Sequence, residues 1–254
     1  MPNDHHADSS GVPWEGRAFQ PNPHAGDKGE TPSDVAECLA EWRAGRDSFT
    51  DLVAAFAANR FLIPLVAHAG DDFDADNPVM EDKVQELSVV TVAGPSGERV
   101  IPVFTSASAM KSWHAEARPI PIEAQRVALA AASEQTDRLV VNPGTESVML
   151  RRPVVWSMAQ GIPYVAPWES AAFATETTTL LDGIENLVDV GICPGDPRAT
   201  GEGPDVTLFL GLANDLNAEQ VRALINVVQA RVSDNSLFAS DVDALALTLN
   251  NRSL

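Results

Sequence analysis

The sequence predicts an α+β, or mixed α/β, fold, and three observations carry that prediction. Apolar residues recur at three- and four-residue spacing in several short segments, the mark of half-buried helices. Between them lie short apolar runs bounded by proline and glycine, which read as strands. The elements follow one another as α-α-β-β-β-α-α-β-α and then β-β-α-β, not as the regular alternation of a doubly wound sheet. The expected architecture is an N-terminal domain of helices on a small mixed sheet over residues 31–161. A flexible arm (1–30) precedes it, and a linker (162–186) and a smaller β-β-α-β unit (187–254) follow it.

Residues 1–30 are rich in Pro, Gly, Asn, Asp and His and poor in aliphatics, too little apolar surface to order an arm by itself. Thr31-Pro32 opens the first helix, with Val35, Leu39 and Trp42 on one face and Gly45 ending it. Ser48, with Asp51 three residues on, caps a second helix through Phe49, Leu52, Val53 and Phe56 to about Asn59. Phe61 to Ala67 reads as an edge strand, and Leu87 to Val92 and Val100 to Phe104 flank the Gly94-Pro95-Ser96-Gly97 turn as a hairpin.

Thr105 or Ser106 caps a helix bearing Met110 and Trp113. Arg118-Pro119-Ile120-Pro121 is an extended connector, because each residue before a proline is barred from helix. Ala124 to Ser133 returns to helix and Leu139-Val140-Val141 is a strand closed by the Asn142-Pro143-Gly144 turn. Pro153 starts a helix that runs to Gly161. Prolines, small residues and a threonine run mark 162–186 as the linker. Beyond it, Leu187 to Ile192 and Val206 to Leu212 are strands, Asn217 with Gln220 caps a helix, and Val242 to Leu249 closes the unit as a strand.

Charge narrows the function classes. The 254 residues carry a formal net charge of −19, which argues against binding through nucleic-acid phosphates or an anionic membrane. The charge is uneven: 5 basic against 16 acidic side chains in residues 1–82, 8 against 7 in 83–160, and 4 against 13 in 161–254. An anionic group on a partner would therefore meet the middle segment, unless its arginines pair with the protein's own carboxylates. The N-terminus lacks the basic and apolar regions of a signal peptide, so a cytoplasmic protein is expected.

The sharpest chemical motif is Cys193-Pro194-Gly195-Asp196-Pro197-Arg198, a Cys-x4-Arg spacing directly after a predicted strand. Sulfurtransferases and cysteine phosphatases use that spacing to hold a thiolate in a cup of backbone N–H groups. Here two prolines remove donors, Asp196 opposes thiolate formation, and a loop leading to a strand takes the place of the helix. Cys193 and Arg198 thus define the enzymatic alternative, and a Pro/Gly hairpin connection is the expectation.

Other motifs fail at a chemically necessary position. Asp72, Asp74 and Asp76 alternate like a calcium loop, but Asn77 replaces the turn glycine and Lys83 the closing glutamate. Gly11 to Ala18 has the glycine spacing of a phosphate loop without its lysine or hydroxyl. The histidines (5, 6, 24, 68 and 114) show no zinc spacing, and two cysteines make neither a disulfide framework nor a four-cysteine site. No metal and no cofactor is expected.

Two aromatic and arginine pairings stand out: Trp113 near Arg118, and Trp156 after Arg151-Arg152-Pro153. Trp and Arg together are the composition of interface anchors. At Ile101-Pro102-Val103-Phe104-Thr105-Ser106, Ala117-Arg118-Pro119, Val141-Asn142-Pro143-Gly144 and Arg152 to Trp156, the chain resembles the SseB family of the actinobacterial type. The arm motifs Gly16-Arg17, Asn22-Pro23 and Gly26-Asp27 and the segment Ala159-Gln160-Gly161 also resemble it, and the region after 187 resembles a diverged form of its C-terminal domain. The family name comes from enhanced serine sensitivity, and the resemblance brings no catalytic residues with it. The expectation is an acidic, non-catalytic protein-binding or regulatory module. Its expected surface joins Phe104, Thr105, Ser106, Trp113, Arg118, Asn142, Arg151 and Arg152, facing an acidic or phosphorylated protein partner.

Overall fold

A computed structural model of the chain describes residues 26–65, 90–134, 136–213 and 215–251, and the fold is α+β. The calcium-like Asp72, Asp74 and Asp76, the phosphate-loop-like segment and His5, His6, His24 and His68 lie outside the described residues.

The first two helices, α1 (Ser33–Arg43) and α2 (Phe49–Ala57), follow the apolar spacing, burying Val35 and Leu39, then Phe49, Leu52, Val53 and Phe56. The Ser48 hydroxyl accepts the Asp51 N–H at 2.9 Å, the cap read from sequence. Next come β1 (Arg60–Leu65), β2 (Val92–Ala93), β3 (Arg99–Val103), α3 (Ala107–Trp113) and β4 (Arg118–Glu123). They are followed by α4 (Ala124–Ser133), β5 (Leu139–Val141), β6 (Val148–Leu150) and α5 (Arg152–Gln160). The Arg118–Pro121 connector is extended as expected, and it also pairs antiparallel with β1. Its prolines are tolerated because the ribbon has two strands and no central position.

The main N-terminal sheet runs β2-β3-β5-β6, and its β3–β5 pair is parallel. Alternation sends Ile101, Val103, Leu139, Val141, Val148 and Leu150 into the core beneath the helices. Val100, Val140 and Met149 form a small cluster on the other face. Strand β6 was not expected, since three residues are too few for alternation to register.

The 162–186 segment is more than a linker. It holds a 3₁₀ turn (Pro167–Glu169) and helix α6 (Ala171–Leu181), whose Phe173 and Leu181 belong to the second core. The threonine run is compatible with helix because Thr175, Thr177, Thr178 and Thr179 each donate to the carbonyl four residues back. The C-terminal sheet β7 (Leu187–Pro194), β8 (Val206–Leu212) and β9 (Leu245–Asn251) has an antiparallel β7–β8 pair and a parallel β8–β9 pair. Helices α7 (Ala218–Ser233) and α8 (Ser236–Asp241) connect β8 to β9. Asn217 and Gln220 form the expected capping box of α7. Helix α8 ends just before the predicted closing strand, whose first residues, 242–244, form a loop ahead of β9.

Candidate functional site

The two cores meet at a seam built from charged residues. Arg138 precedes β5, while Arg151 and Arg152 follow β6. Because β5 and β6 are antiparallel, with Leu139 opposite Leu150, all three arginines emerge at one end of the sheet. Asp243 answers them from the loop before β9: it lies 2.5 Å from Arg138, 3.7 Å from Arg151 and 3.6 Å from Arg152. Arg152 also donates to the carbonyls of Ala239 and Val242, at 3.0 and 2.8 Å. Arg151, only 9% exposed, donates to the Gly203 carbonyl at 2.8 Å and lies 3.4 Å from Asp196.

The β7–β8 loop is the other half of the seam. Asp196 accepts the N–H groups of Thr200 and Gly201 at 3.0 and 2.7 Å, folding the loop on itself. Ala199, at φ +47°, is buried in the N-terminal core, and its carbonyl accepts the Met149 N–H at 2.7 Å. A Cβ on Gly201 would stand 3.0 Å from the Met149 methyl carbon, so glycine permits the close approach. The Cys193 to Arg198 motif is thus a docking strap. Cys193 ends within strand β7, burial pushes its thiol pKa up, and the next helix begins only at Ala218. No helix N-terminus faces the thiol from its own loop, and Arg198 is exposed at the tip.

Above the seam opens a cleft of about 200 Å³. Phe49 is its aromatic centre, with ring centroids 5.9 Å from Trp42, 6.2 Å from Tyr164 and 5.9 Å from Trp168. Asp47, Glu169, Asp196 and Asp205 add carboxylates to the lining and Arg151 its guanidinium. Glu169 accepts the N–H groups of Phe49 and Thr50 at 2.9 and 3.0 Å, capping α2 from a distant part of the chain. Asp205 accepts the N–H groups of Ala244 and Asp243 at 2.7 and 3.1 Å. Burial nevertheless raises its pKa, against the pull of those bonds and of Arg151. Burial also pushes the Tyr164 phenol well above its ordinary range, with Asp205, Glu169 and Asp241 adding to the effect, so it stands as a neutral hydroxyl.

The residues expected to share one surface divide into two groups. Phe104, Thr105, Ser106, Trp113 and Asn142 do come together, at the Val141 end of the β5–β6 pair. Asn142, at φ +52°, accepts the Thr105 N–H at 2.9 Å and donates to the Thr105 hydroxyl at 3.0 Å. Ser106 caps α3 through the Ala109 N–H at 3.1 Å, and Trp113 packs on buried Phe104 at 5.4 Å. Arg118 is exposed at the start of β4. Arg151 and Arg152 lie at the opposite end, engaged by the C-terminal unit. Trp156 is 46% exposed beneath the Arg152 guanidinium, 5.7 Å from its ring centroid, and donates to Asp137 at 2.8 Å.

Arg60, Tyr164, Trp168, Glu169, Asp205 and Asp243 escaped the sequence reading. Arg60 is buried, pairs with Asp27, and donates to the carbonyls of Glu30 and Thr105. It thereby fixes residues 26–31 against α3, where a loose arm had been expected up to residue 30. The signal was present in the lone arginine heading an apolar strand. Among the described residues no three His, Cys, Asp or Glu side chains are grouped to hold a metal ion, and no helix is long and apolar enough to cross a membrane.

Residues 35–157 match the family model described as the SseB protein N-terminal domain. No curated protein and no solved structure matches the chain.

Proposed function

Because the chain belongs to the SseB family through residues 35–157, a membership that names no reaction, we propose that it is a non-catalytic protein-binding module whose binding site is the cleft at the seam. The observation that carries this reading is the cleft itself, an aromatic-walled concavity of about 200 Å³ where two cores meet. Ligand sites favour such junctions, with mostly apolar walls and a few polar groups at fixed places. The four carboxylates and the Arg151 guanidinium are held by neighbouring groups, as a site that recognises shape and charge requires. The Cys193 thiol, raised by burial in a strand, lacks the electropositive setting that a nucleophile uses.

The test is capture from a native lysate with wild-type protein and with Pro197→Trp, which places a large side chain at the exposed lip of the cleft. A partner retained by the wild type should be lost by the variant at unchanged melting temperature. Retention of that partner by Pro197→Trp, or persulfide formation from thiosulfate that disappears in Cys193→Ser, would overturn the proposal.

A further inference from the structure

Resting on the reading of the cleft as a protein-binding site, we infer that it receives the guanidinium group of an arginine presented by a basic segment of the partner. Volume sets the first limit. About 200 Å³ lies below the range of roughly 300–1,000 Å³ of sites for drug-sized ligands, a size that suits one inserted side chain.

Charge sets the second. Four carboxylates line the cleft against one guanidinium, and that guanidinium is already committed to Asp196, Asp243 and the Gly203 carbonyl. An anionic ligand would meet uncompensated like charge. A cation would supply what Asp205 lacks: each Asp205 oxygen accepts one backbone N–H and retains further acceptor capacity, while burial deprives it of water.

Wall chemistry sets the third. Trp42, Tyr164 and Trp168 pack around Phe49, and all four residues line the cleft. Rings beside carboxylates favour a planar, weakly hydrated cation that can stack and donate in the same plane, which describes guanidinium better than ammonium. The net charge of −19 would draw a basic partner towards the protein before contact. An acidic partner would have to dock without Arg138, Arg151 and Arg152, which the seam has engaged.

The experiment titrates the full chain with the capped tripeptide Gly-Arg-Gly, its citrulline counterpart and a phosphoserine counterpart, following tryptophan emission and calorimetry. Citrulline keeps the shape of arginine and removes the charge. The arginine peptide should bind at least about tenfold more tightly than citrulline, the scale of a desolvated cation–π contact. Asp47→Asn should weaken it at unchanged melting temperature, and Asp205→Asn more strongly. Equal binding of arginine and citrulline, or preferential binding of phosphoserine, would overturn the inference. Neutral indole perturbing the cleft while the arginine peptide does not would reject the cation and leave the cleft as a binding site. If neither binds, both readings fall.

Discussion

Arg138 and Asp243 stand 2.5 Å apart across the seam, one at the start of β5 and the other just before β9. The Asp243 side chain is only 7% exposed and also faces Arg151 and Arg152, so it is the single carboxylate shared by three guanidiniums. Removing it leaves those cations partly buried without their common partner. Asp243→Ala should therefore destabilise the fold by about 3 kcal/mol, the lower part of the range for breaking a buried pair. Urea unfolding measures this directly. A loss below about 1 kcal/mol, as for an exposed pair, would show that the seam does not depend on it.

Asn142 offers a second test, because conformation and hydrogen bonding separate there. Asn142→Gly keeps the left-handed backbone and loses the side-chain bonds to Thr105; Asn142→Asp keeps the acceptor for the Thr105 N–H. Glycine should cost about 2 kcal/mol through the unsatisfied buried N–H, and alanine more, since it adds left-handed strain. Equal stability of Asn142→Gly and wild type would show that the Thr105 bonds contribute nothing.

Glu169 caps α2 from outside its own segment, so Glu169→Ala should lower stability by about 1 kcal/mol and Glu169→Gln by less. The helical signal of α2 should weaken in step in hydrogen exchange. Unchanged protection of the Phe49 and Thr50 amides would contradict the cap.

The Asp205 carboxyl holds its proton to higher pH in the folded chain than in the unfolded one. Between the two pKa values the native state binds more protons, so stability falls as pH rises through that window and the penalty persists above it. The stability of Asp205→Asn relative to wild type should accordingly improve from about pH 4 to about pH 7. A difference that is constant, or that moves the other way, would contradict the burial of this charge.

Both thiols are raised, Cys193 by burial and Cys38 by burial and then by the nearby Asp47 carboxylate. Alkylation by iodoacetamide should be slow at neutral pH and accelerate only above about 8.5, the value for a free thiol. Fast labelling of Cys193 at neutral pH would return its loop to the list of reactive sites.

Elements with strong local signals were legible in the sequence: the Ser48 cap, the Asn217–Gln220 box, the length of α4 and strand β5. Elements whose identity depends on distant partners were not. Strand β6 is three residues long, and α6 hides in a threonine run whose hydroxyls satisfy backbone carbonyls only once the helix exists. The charge count placed cations in the middle segment and anions at the C-terminus. Only the fold reveals that Arg138, Arg151 and Arg152 face Asp243 and Asp196. The cleft was illegible for the same reason, since Phe49, Tyr164 and Asp205 meet through tertiary packing alone.

The most direct test of the account is a two-dimensional NMR titration of the tryptophan indole N–H signals with the Gly-Arg-Gly peptide. Trp42 and Trp168 line the cleft, whereas Trp113 packs on Phe104 and Trp156 is bonded to Asp137. The account predicts saturable shifts at Trp42 and Trp168, with Trp113 and Trp156 unmoved. Shifts confined to Trp113 or Trp156, or none at Trp42 and Trp168, would contradict it.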